Sequence, residues 1–159
     1  MDDEIKTTAE VVEASVMKLS GSVHTEPGAP CAENRPLPEA VSKKPVDQKS
    51  PAEWAYERLI LYIKNFEETL DNNHEAAMGF TDTGGGILRI EGLGYFDPDI
   101  VTFYGADQTG GRVQLVQHVS QLNVLLRAMP KAPDAPEPRR IGFKLEKALS
   151  EAVDAKGDA

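Results

Sequence analysis

All aromatic residues of the chain lie in one central stretch, and this bounds the segment that can form a core. The ten aromatics run from Trp54 to Phe143, and the first 53 and the last 16 of the 159 residues contain none. Aromatic side chains bury the largest apolar areas of a protein core. One domain is therefore expected between these limits, in agreement with the length of the chain.

The segment before Trp54 is rich in proline and poor in apolar side chains. Its prolines are Pro27, Pro30, Pro36, Pro38, Pro45 and Pro51. Such a segment buries too little apolar surface to offset the entropy of ordering, so the sequence predicts a disordered, acidic, proline-rich tail over residues 1–49. Helical spacing of Val12, Val16 and Leu19 indicates a transient or partner-induced helix over Ile5–Leu19, or only a frayed segment.

A helix start follows this tail. In Ser50-Pro51-Ala52-Glu53 the serine hydroxyl is placed to cap a backbone N–H group, and the Glu53 carboxylate is expected to reach back to the cap. An apolar stripe then predicts an amphipathic helix over about 51–70; its members are Leu59, Ile63, Phe66 and Leu70. The charged residues between them are assigned to the solvent face: Glu57, Arg58, Lys64, Glu67 and Glu68.

Short runs typical of β-strands follow the helix, with glycines between them. The runs are Ala76–Thr81, Ile87–Leu93, Ile100–Tyr104 and Val113–His118. Nine of the thirteen glycines lie in residues 76–111, and glycine suits the tight connections of hairpins. The sequence predicts an antiparallel meander in which the run from residue 100, apolar on both faces, is a central strand.

The pattern changes twice after residue 118. Alternation slips around Ser120-Gln121, as at a β-bulge, a sharp bend or the start of another strand. A proline-spaced connector over residues 130–138 then leads to Arg139–Leu145, which alternates like a short edge strand. We therefore predict an α+β domain over residues 50–145: one N-terminal amphipathic helix on a strongly bent antiparallel sheet of four to five strands. Residues 146–159 form a C-terminal tail, partly helical.

Net charge and cysteine content limit the cellular compartment and the classes of partner that we expect for this chain. The net charge is −9 and the only cysteine is Cys31, so neither a basic arm for nucleic acid nor an intrachain disulfide is available. No run of about 20 apolar residues is present for a membrane span. We expect a cytoplasmic protein with no membrane contact and no cofactor.

Two groups of polar residues are candidates for binding a ligand or partner. The first lies around His118 in an otherwise apolar segment and consists of Gln117, His118, Ser120, Gln121 and Asn123. These side chains either line a polar pocket, pair with a partner's strand edge, or satisfy backbone groups at a bend. The second is Arg139 and Arg140, which either clamp an anion or protect an edge strand by charge.

Catalytic and metal-binding patterns are weak. Asp97 and Asp99 flank Pro98 and follow Glu91, so these carboxylates either hold a divalent cation or act as ordinary turn residues. The three histidines lack metal-site spacing, and no Gly-x-Ser-x-Gly motif occurs. We therefore predict no catalytic residue and no metal site, and an enzyme is less expected than a binding protein.

Two resemblances cover the predicted domain. From Ser50 to Leu145 the chain resembles a bacterial family of uncharacterised domains, through Trp54–Arg58, Gly94–Phe96, Phe103–Gly105, Gln117–Leu126 and Pro138–Phe143. The order of a helix and a bent meander also resembles Sm-like small barrels, with local similarity at Phe96-Asp97 and His118-Val119-Ser120. It departs from the Sm-like RNA chaperone in having Gln117 in place of a lysine and an added Pro98-Asp99, so the residue expected to meet phosphate is missing.

The favoured function is that of an interaction module. A glycine-rich sheet with exposed edges can pair with a second copy or with another protein. The resemblance to Sm-like barrels implies an alternative, an RNA-binding module in which a homo-oligomeric ring gathers the sparse basic residues. A small metal-dependent hydrolase using Glu91, Asp97 and Asp99 is a third hypothesis.

Overall fold

The computed structural model describes residues 20–26, 28–80 and 86–157, with side chains up to residue 152. The chain divides into two compact units, Met1–Pro36 and Leu37–Ala159. In the first unit a 3-10 helix spans Ala32–Asn34, and Cys31 Sγ lies 2.9 Å from Ser22 Oγ. The helix considered over residues 5–19 lies outside the described residues.

The described residues of the second unit form three α-helices and five strands. The helices are α1 (Glu39–Ser42), α2 (Pro51–Glu68) and α3 (Gly142–Gly157). The strands are β1 (His74–Phe80), β2 (Ile87–Phe96), β3 (Ile100–Ala106), β4 (Arg112–His118) and β5 (Val124–Pro130). Two 3-10 helices span Val46–Gln48 and Val119–Gln121. The predicted α+β class with an antiparallel sheet of four to five strands is confirmed.

The disordered tail predicted over residues 1–49 is not confirmed. Residues 1–19 lie outside the description, but α1 and the 3-10 helix at residues 46–48 fall within this segment. Val41 is 1 % exposed and packs in a cluster with Ile60 and Leu149. The burial of Val41 therefore holds α1 against α2 and α3, although the average composition of residues 1–49 predicts disorder.

Helix α2 starts where the sequence places it. The Ser50 hydroxyl accepts the backbone N–H of Glu53 at 3.0 Å, and Pro51 occupies the first turn. The Glu53 carboxylate does not reach back as expected; it accepts hydrogen bonds from Lys44 Nζ at 3.1 and 3.2 Å. The Ser50 hydroxyl also donates to Asp97, and the backbone N–H of Ala52 donates to the Pro98 carbonyl at 3.0 Å. These bonds hold the start of α2 against the β2–β3 turn.

The sheet is open, with strand order β4-β3-β2-β1-β5 and antiparallel neighbours throughout. The register of β2 on β3 shifts between Ile90 and Gly92, which places one extra residue in β2 and bends the strand. Val101 and Phe103 of β3 are fully buried, whereas Tyr104 on the opposite face is 42 % exposed. Strand β3 is therefore internal, as predicted, but only one of its faces is covered throughout.

Helix α2 buries two sides, not the single predicted stripe. One side packs Ala52 and Ile63 against the sheet, and the other packs Ile60 against α1 and α3. The assignment of Glu57 and Glu67 to the solvent face is wrong: they are 6 % and 5 % exposed. The second layer of helices covers them, and the apolar period of α2 alone does not reveal that layer.

The edge strand predicted over residues 139–145 is also wrong, because α3 begins at Gly142. The Glu67 carboxylate accepts the backbone N–H groups of Ile141 and Gly142, at 2.8 and 2.6 Å. Acceptance of free N–H groups by a carboxylate stabilises a helix start. Residues 141, 145 and 149 have the spacing of a helix face, and the alternation in Arg139–Leu145 obscures it.

Candidate functional site

The polar residues around His118 form the cap of a 3-10 helix. The His118 ring Nδ1 accepts the backbone N–H of Ser120 at 3.1 Å, and the Gln121 side chain accepts the backbone N–H of His118 at 3.0 Å. The Ser120 hydroxyl lies 2.7 Å from Nδ1, and Asp99 Oδ2 lies 3.1 Å from Nε2. The slip in alternation is therefore the end of β4, and three of the predicted site residues meet there with Asp99.

The two other members of that predicted group lie elsewhere. Gln117 is 6 % exposed and shares its side of β4 with the core, because it pairs with the buried Val101 of β3. Its Oε1 is buried without a hydrogen-bond partner. Asn123 is exposed in the connection to β5. The structure does not gather all five residues into one pocket.

Arg139 and Arg140 hold the connector to the domain. The Arg140 guanidinium donates to the carbonyls of His74 and Asp71, at 2.6 and 2.8 Å. The backbone N–H of Arg139 donates to Glu75 Oε2 at 2.8 Å. Because the Arg140 guanidinium is engaged by backbone oxygens, the predicted double clamp for an anion would need these bonds to break. The predicted role of Arg139 stays a prediction.

The carboxylates considered for a cation do not converge. Asp97 accepts from Ser50 and Asp99 contacts His118, while Glu91 is exposed on β2. Within residues 20–26, 28–80 and 86–152, no three His, Cys, Asp or Glu side chains are grouped so that they could hold a metal ion. In the same part of the chain, no helix has the length and apolar character needed to cross a bilayer.

The two edge strands carry exposed apolar side chains. Val116 of β4 is 57 % exposed and Leu125 of β5 is 55 % exposed. Val116 pairs with Thr102, and Leu125 pairs with Gly79. Since the core residues Phe103 and Met78 are the chain neighbours of these partners, both exposed side chains lie on the sheet face opposite the core.

A cavity of about 230 Å³ lies where α1, α2, β2 and α3 meet. Glu53 and Glu57 of α2 line it with Tyr56, Tyr95 and Leu149. The rings of Tyr56 and Tyr95 are in contact, with centroids 4.9 Å apart and planes tilted by 44°. The Tyr95 hydroxyl lies 3.4 Å from Glu53 Oε2.

The two carboxylates of this cavity have lysine partners of different exposure. Lys49 Nζ lies 2.6 Å from Glu57, also donates to the Val41 carbonyl, and lies 4.7 Å from the Trp54 ring centre. Its side chain is 1 % exposed, whereas the side chain of Lys44, on Glu53, is 48 % exposed. Glu57 therefore has a buried counter-charge, and Glu53 has one that is half in water.

Burial shifts the titration of these groups. Removal from water is the main cause that raises the pKa of Glu57, and the Lys49 hydrogen bond opposes it. Burial, with the nearby charge of Glu53, raises the pKa of Tyr95 to about 12. Burial also raises the pKa of Tyr56. Both phenols are consequently neutral at physiological pH.

The sequence pattern does not predict this cavity. Glu53 and Glu57 lie one helical turn apart, as do Tyr56 and Ile60, so a second semi-apolar side of α2 was visible in the spacing. The lysines come from a segment that composition assigns to a disordered tail. Without α1 and α3 as cover, the sequence assigns Glu57 to the solvent face and Glu53 to the helix cap.

These observations define the class of the protein as a small α+β domain with an open five-stranded sheet and a helical layer over one side of α2. The chain belongs to a family of unknown function, DUF6173, whose model matches residues 45–144. The predicted membership in a family of uncharacterised domains is confirmed. No curated protein and no solved structure matches the chain.

Proposed function

We propose that this domain is an interaction module that self-associates through its edge strands. The observation that supports the proposal is the open sheet, whose outermost strands, β4 and β5, each carry a half-exposed aliphatic residue, Val116 and Leu125. An edge strand presents backbone N–H and C=O groups that another strand can pair with. Charge or proline commonly blocks a natural edge; β4 begins at Arg112, and β5 contains Arg127 and ends at Pro130, so Val116 and Leu125 mark the part of each edge that is not blocked in this way.

A second copy of the chain is the partner that fits best. Every copy brings both edges, and the apolar residue at each edge lies on the same face of the sheet. When β4 of one copy pairs with β5 of the next, both exposed residues lie on one face of a continuous sheet. Such a head-to-tail contact produces a ring or an open chain of copies, whereas pairing of β4 with β4 produces a two-fold dimer.

The test is the mass in solution of the full chain, measured by light scattering after gel filtration at two protein concentrations. The wild-type mass is expected to be at least twice the 17.3 kDa of one chain. Val116→Lys is expected to be monomeric. Phe143→Lys, which changes an exposed aromatic on α3, is the matched control and leaves the mass unchanged. A wild-type monomer at high micromolar concentration contradicts the proposal.

Mixing two variants identifies which edges pair. Val116→Lys damages β4 alone and Leu125→Lys damages β5 alone. For head-to-tail pairing each variant is monomeric, but an equimolar mixture forms heterodimers through the one intact pair of edges. For β4–β4 pairing, Leu125→Lys retains the wild-type mass.

The order of elements favours a second candidate, an Sm-like RNA-binding module. Helix α2 followed by an antiparallel meander with a bulge keeps the layout that resembles such barrels, although the sheet is not closed. Arg127 is exposed on β5, and Arg139 is exposed before α3. This candidate requires salt-sensitive retention of RNA in filter binding, reduced by His118→Ala and Arg139→Ala. No retention at low salt leaves protein self-association as the function.

A further inference from the structure

We propose that the cavity between α1, α2, β2 and α3 binds a small organic cation with an ammonium group, which replaces the Lys44 ammonium on Glu53. The cavity holds about 230 Å³, below the range of about 300 Å³ and more that drug-sized ligands occupy. A ligand of a few heavy atoms therefore fits. Its charge is determined by the side chains around it.

The balance of charge favours a cation. Glu53 and Glu57 line the cavity and are 7 % and 6 % exposed, whereas the two lysines that also line it, Lys43 and Lys44, are exposed residues at its rim. Lys49 neutralises Glu57 and is itself buried, with a side chain 1 % exposed and three contacts to hold it. Once Lys44 leaves Glu53, one buried carboxylate is uncompensated. A buried charge without a partner is costly, so a cationic ligand is favoured in its place.

Lys44 is the partner of Glu53 that a ligand can displace. Its side chain is 48 % exposed, and its ammonium joins the two oxygens of Glu53 at 3.1 and 3.2 Å. Because nearly half of the Lys44 side chain already lies in water, its release costs mainly the ion pair with Glu53, and the ammonium group of the ligand replaces that ion pair. Lys44 thus acts as an internal competitor for the site.

The aromatic wall suits the same ligand. The contacting rings of Tyr56 and Tyr95 border the cavity beside Glu53. An aromatic ring attracts a cation that is placed over its face. The Tyr95 hydroxyl faces Glu53 Oε2 at 3.4 Å, which orients the carboxylate. Leu149 of α3 adds an apolar surface for the alkyl part of the ligand.

The experiment is a titration of the isotope-labelled full chain with n-butylammonium chloride, followed by NMR chemical shifts. Saturable shifts are expected at the amides of Glu53, Tyr56 and Tyr95. Neutral n-butanol at the same concentrations is expected to give no saturable shift there. Inorganic phosphate tests the opposite charge preference.

Three variants are expected to change the affinity for butylammonium in three different ways. Lys44→Ala removes the competitor and is expected to tighten butylammonium binding by about three- to fivefold, the size of an exposed ion pair. Glu53→Gln removes the anchor and is expected to weaken binding at least about tenfold, as loss of a charge-assisted hydrogen bond does. Glu91→Gln, an exposed carboxylate on the same strand as Tyr95, is the matched control and leaves binding unchanged.

If Glu53→Gln does not fold, Lys44→Ala still tests the proposal. Lys44 lies at the surface, so its replacement is expected to leave the fold intact. Weaker butylammonium binding by Lys44→Ala overturns the proposal. Saturable binding of phosphate that is lost with Lys44 also overturns it, since the lysines would then form an anion site. So does the absence of any saturable shift in both wild type and Lys44→Ala.

Discussion

Glu67 and Gly142 are packed so closely that no other residue fits at position 142. Glu67 Oε1 accepts the Gly142 backbone N–H at 2.6 Å, and a Cβ at residue 142 would lie 2.5 Å from that oxygen and 2.6 Å from Lys64 Cα. The glycine is therefore required by a close approach of α3 to α2. It is the point at which the last helix is attached to the domain.

Gly142→Ala is expected to destabilise the chain by about 1–3 kcal/mol, the range for overpacking in a tight contact. The free energy of unfolding in urea measures it. Gly21→Ala, where an added Cβ meets nothing within 4 Å, is the control and changes stability by only a few tenths of a kcal/mol. Equal stabilities of the two variants would contradict the close packing of α3 on α2.

Glu67 also gives a pH prediction. Burial raises the pKa of this carboxyl above its ordinary value of 4.5, although the N–H groups of Ile141 and Gly142 act against the shift. The folded chain then binds more protons than the unfolded chain, so the contribution of Glu67 to stability is lost as pH rises through the folded pKa. Wild type is expected to lose stability relative to Glu67→Gln as pH rises from about 4 to 7.

Urea unfolding at several pH values tests this difference between wild type and variant. Glu91→Gln, which changes an exposed carboxylate on β2, is the control for the substitution itself. A wild type that gains stability relative to Glu67→Gln over the same range would show that the hydrogen bonds outweigh burial.

The sequence predicts the parts of the fold whose signals are local. The start of α2 is found because the adjacent residues Ser50 and Pro51 encode it, and β3 is found because its residues are mostly apolar on both faces. The end of β4 is visible as a slip in alternation near Ser120. Each of these features depends on residues close together in the chain.

The errors arise from contacts between distant residues. Glu57 and Glu67 carry charge and have solvent-face spacing, and only the cover by α1 and α3 makes them buried. Helix α3 starts at Gly142 because Glu67, 75 residues earlier, accepts its first N–H groups. The cavity at Glu53 and Tyr95 needs four elements to exist, so no single stretch of sequence encodes it.

Gly105 of β3 and Gly92 of β2 make a matched pair of glycine predictions in the sheet. An added Cβ at residue 105 would lie far inside contact distance of the Arg89 carbonyl oxygen, whereas at residue 92 its nearest neighbour is Tyr104 at 3.8 Å. Gly105→Ala is therefore expected to cost about 1–3 kcal/mol or more, because backbone must move. Gly92→Ala is expected to be within about 0.5 kcal/mol of wild type. Thermal unfolding of both variants checks the contrast, and a larger loss at residue 92 would show that the bulge is placed differently.

Lys49 and Glu57 form a buried ion pair whose members depend on each other. Their charged atoms lie 2.6 Å apart, and the two side chains are 1 % and 8 % exposed. Lys49→Met leaves the Glu57 carboxylate without its counter-charge, and Glu57→Met leaves the ammonium alone. Each single variant is expected to lose about 3–5 kcal/mol, as when one member of a buried pair is removed.

The double variant Lys49→Met with Glu57→Met separates this pairing from loss of packing. Because neither charge of this pair is left without the other, the double variant is expected to lose clearly less stability than the sum of the single variants, with a coupling free energy of about 1–3 kcal/mol. Urea unfolding of all four proteins completes the cycle, and Lys147→Met, at an exposed lysine on α3, controls for the added methionine. Strictly additive losses would mean that the two charges are stabilised separately, Lys49 by Trp54 and the Val41 carbonyl, and Glu57 by other groups around the cavity.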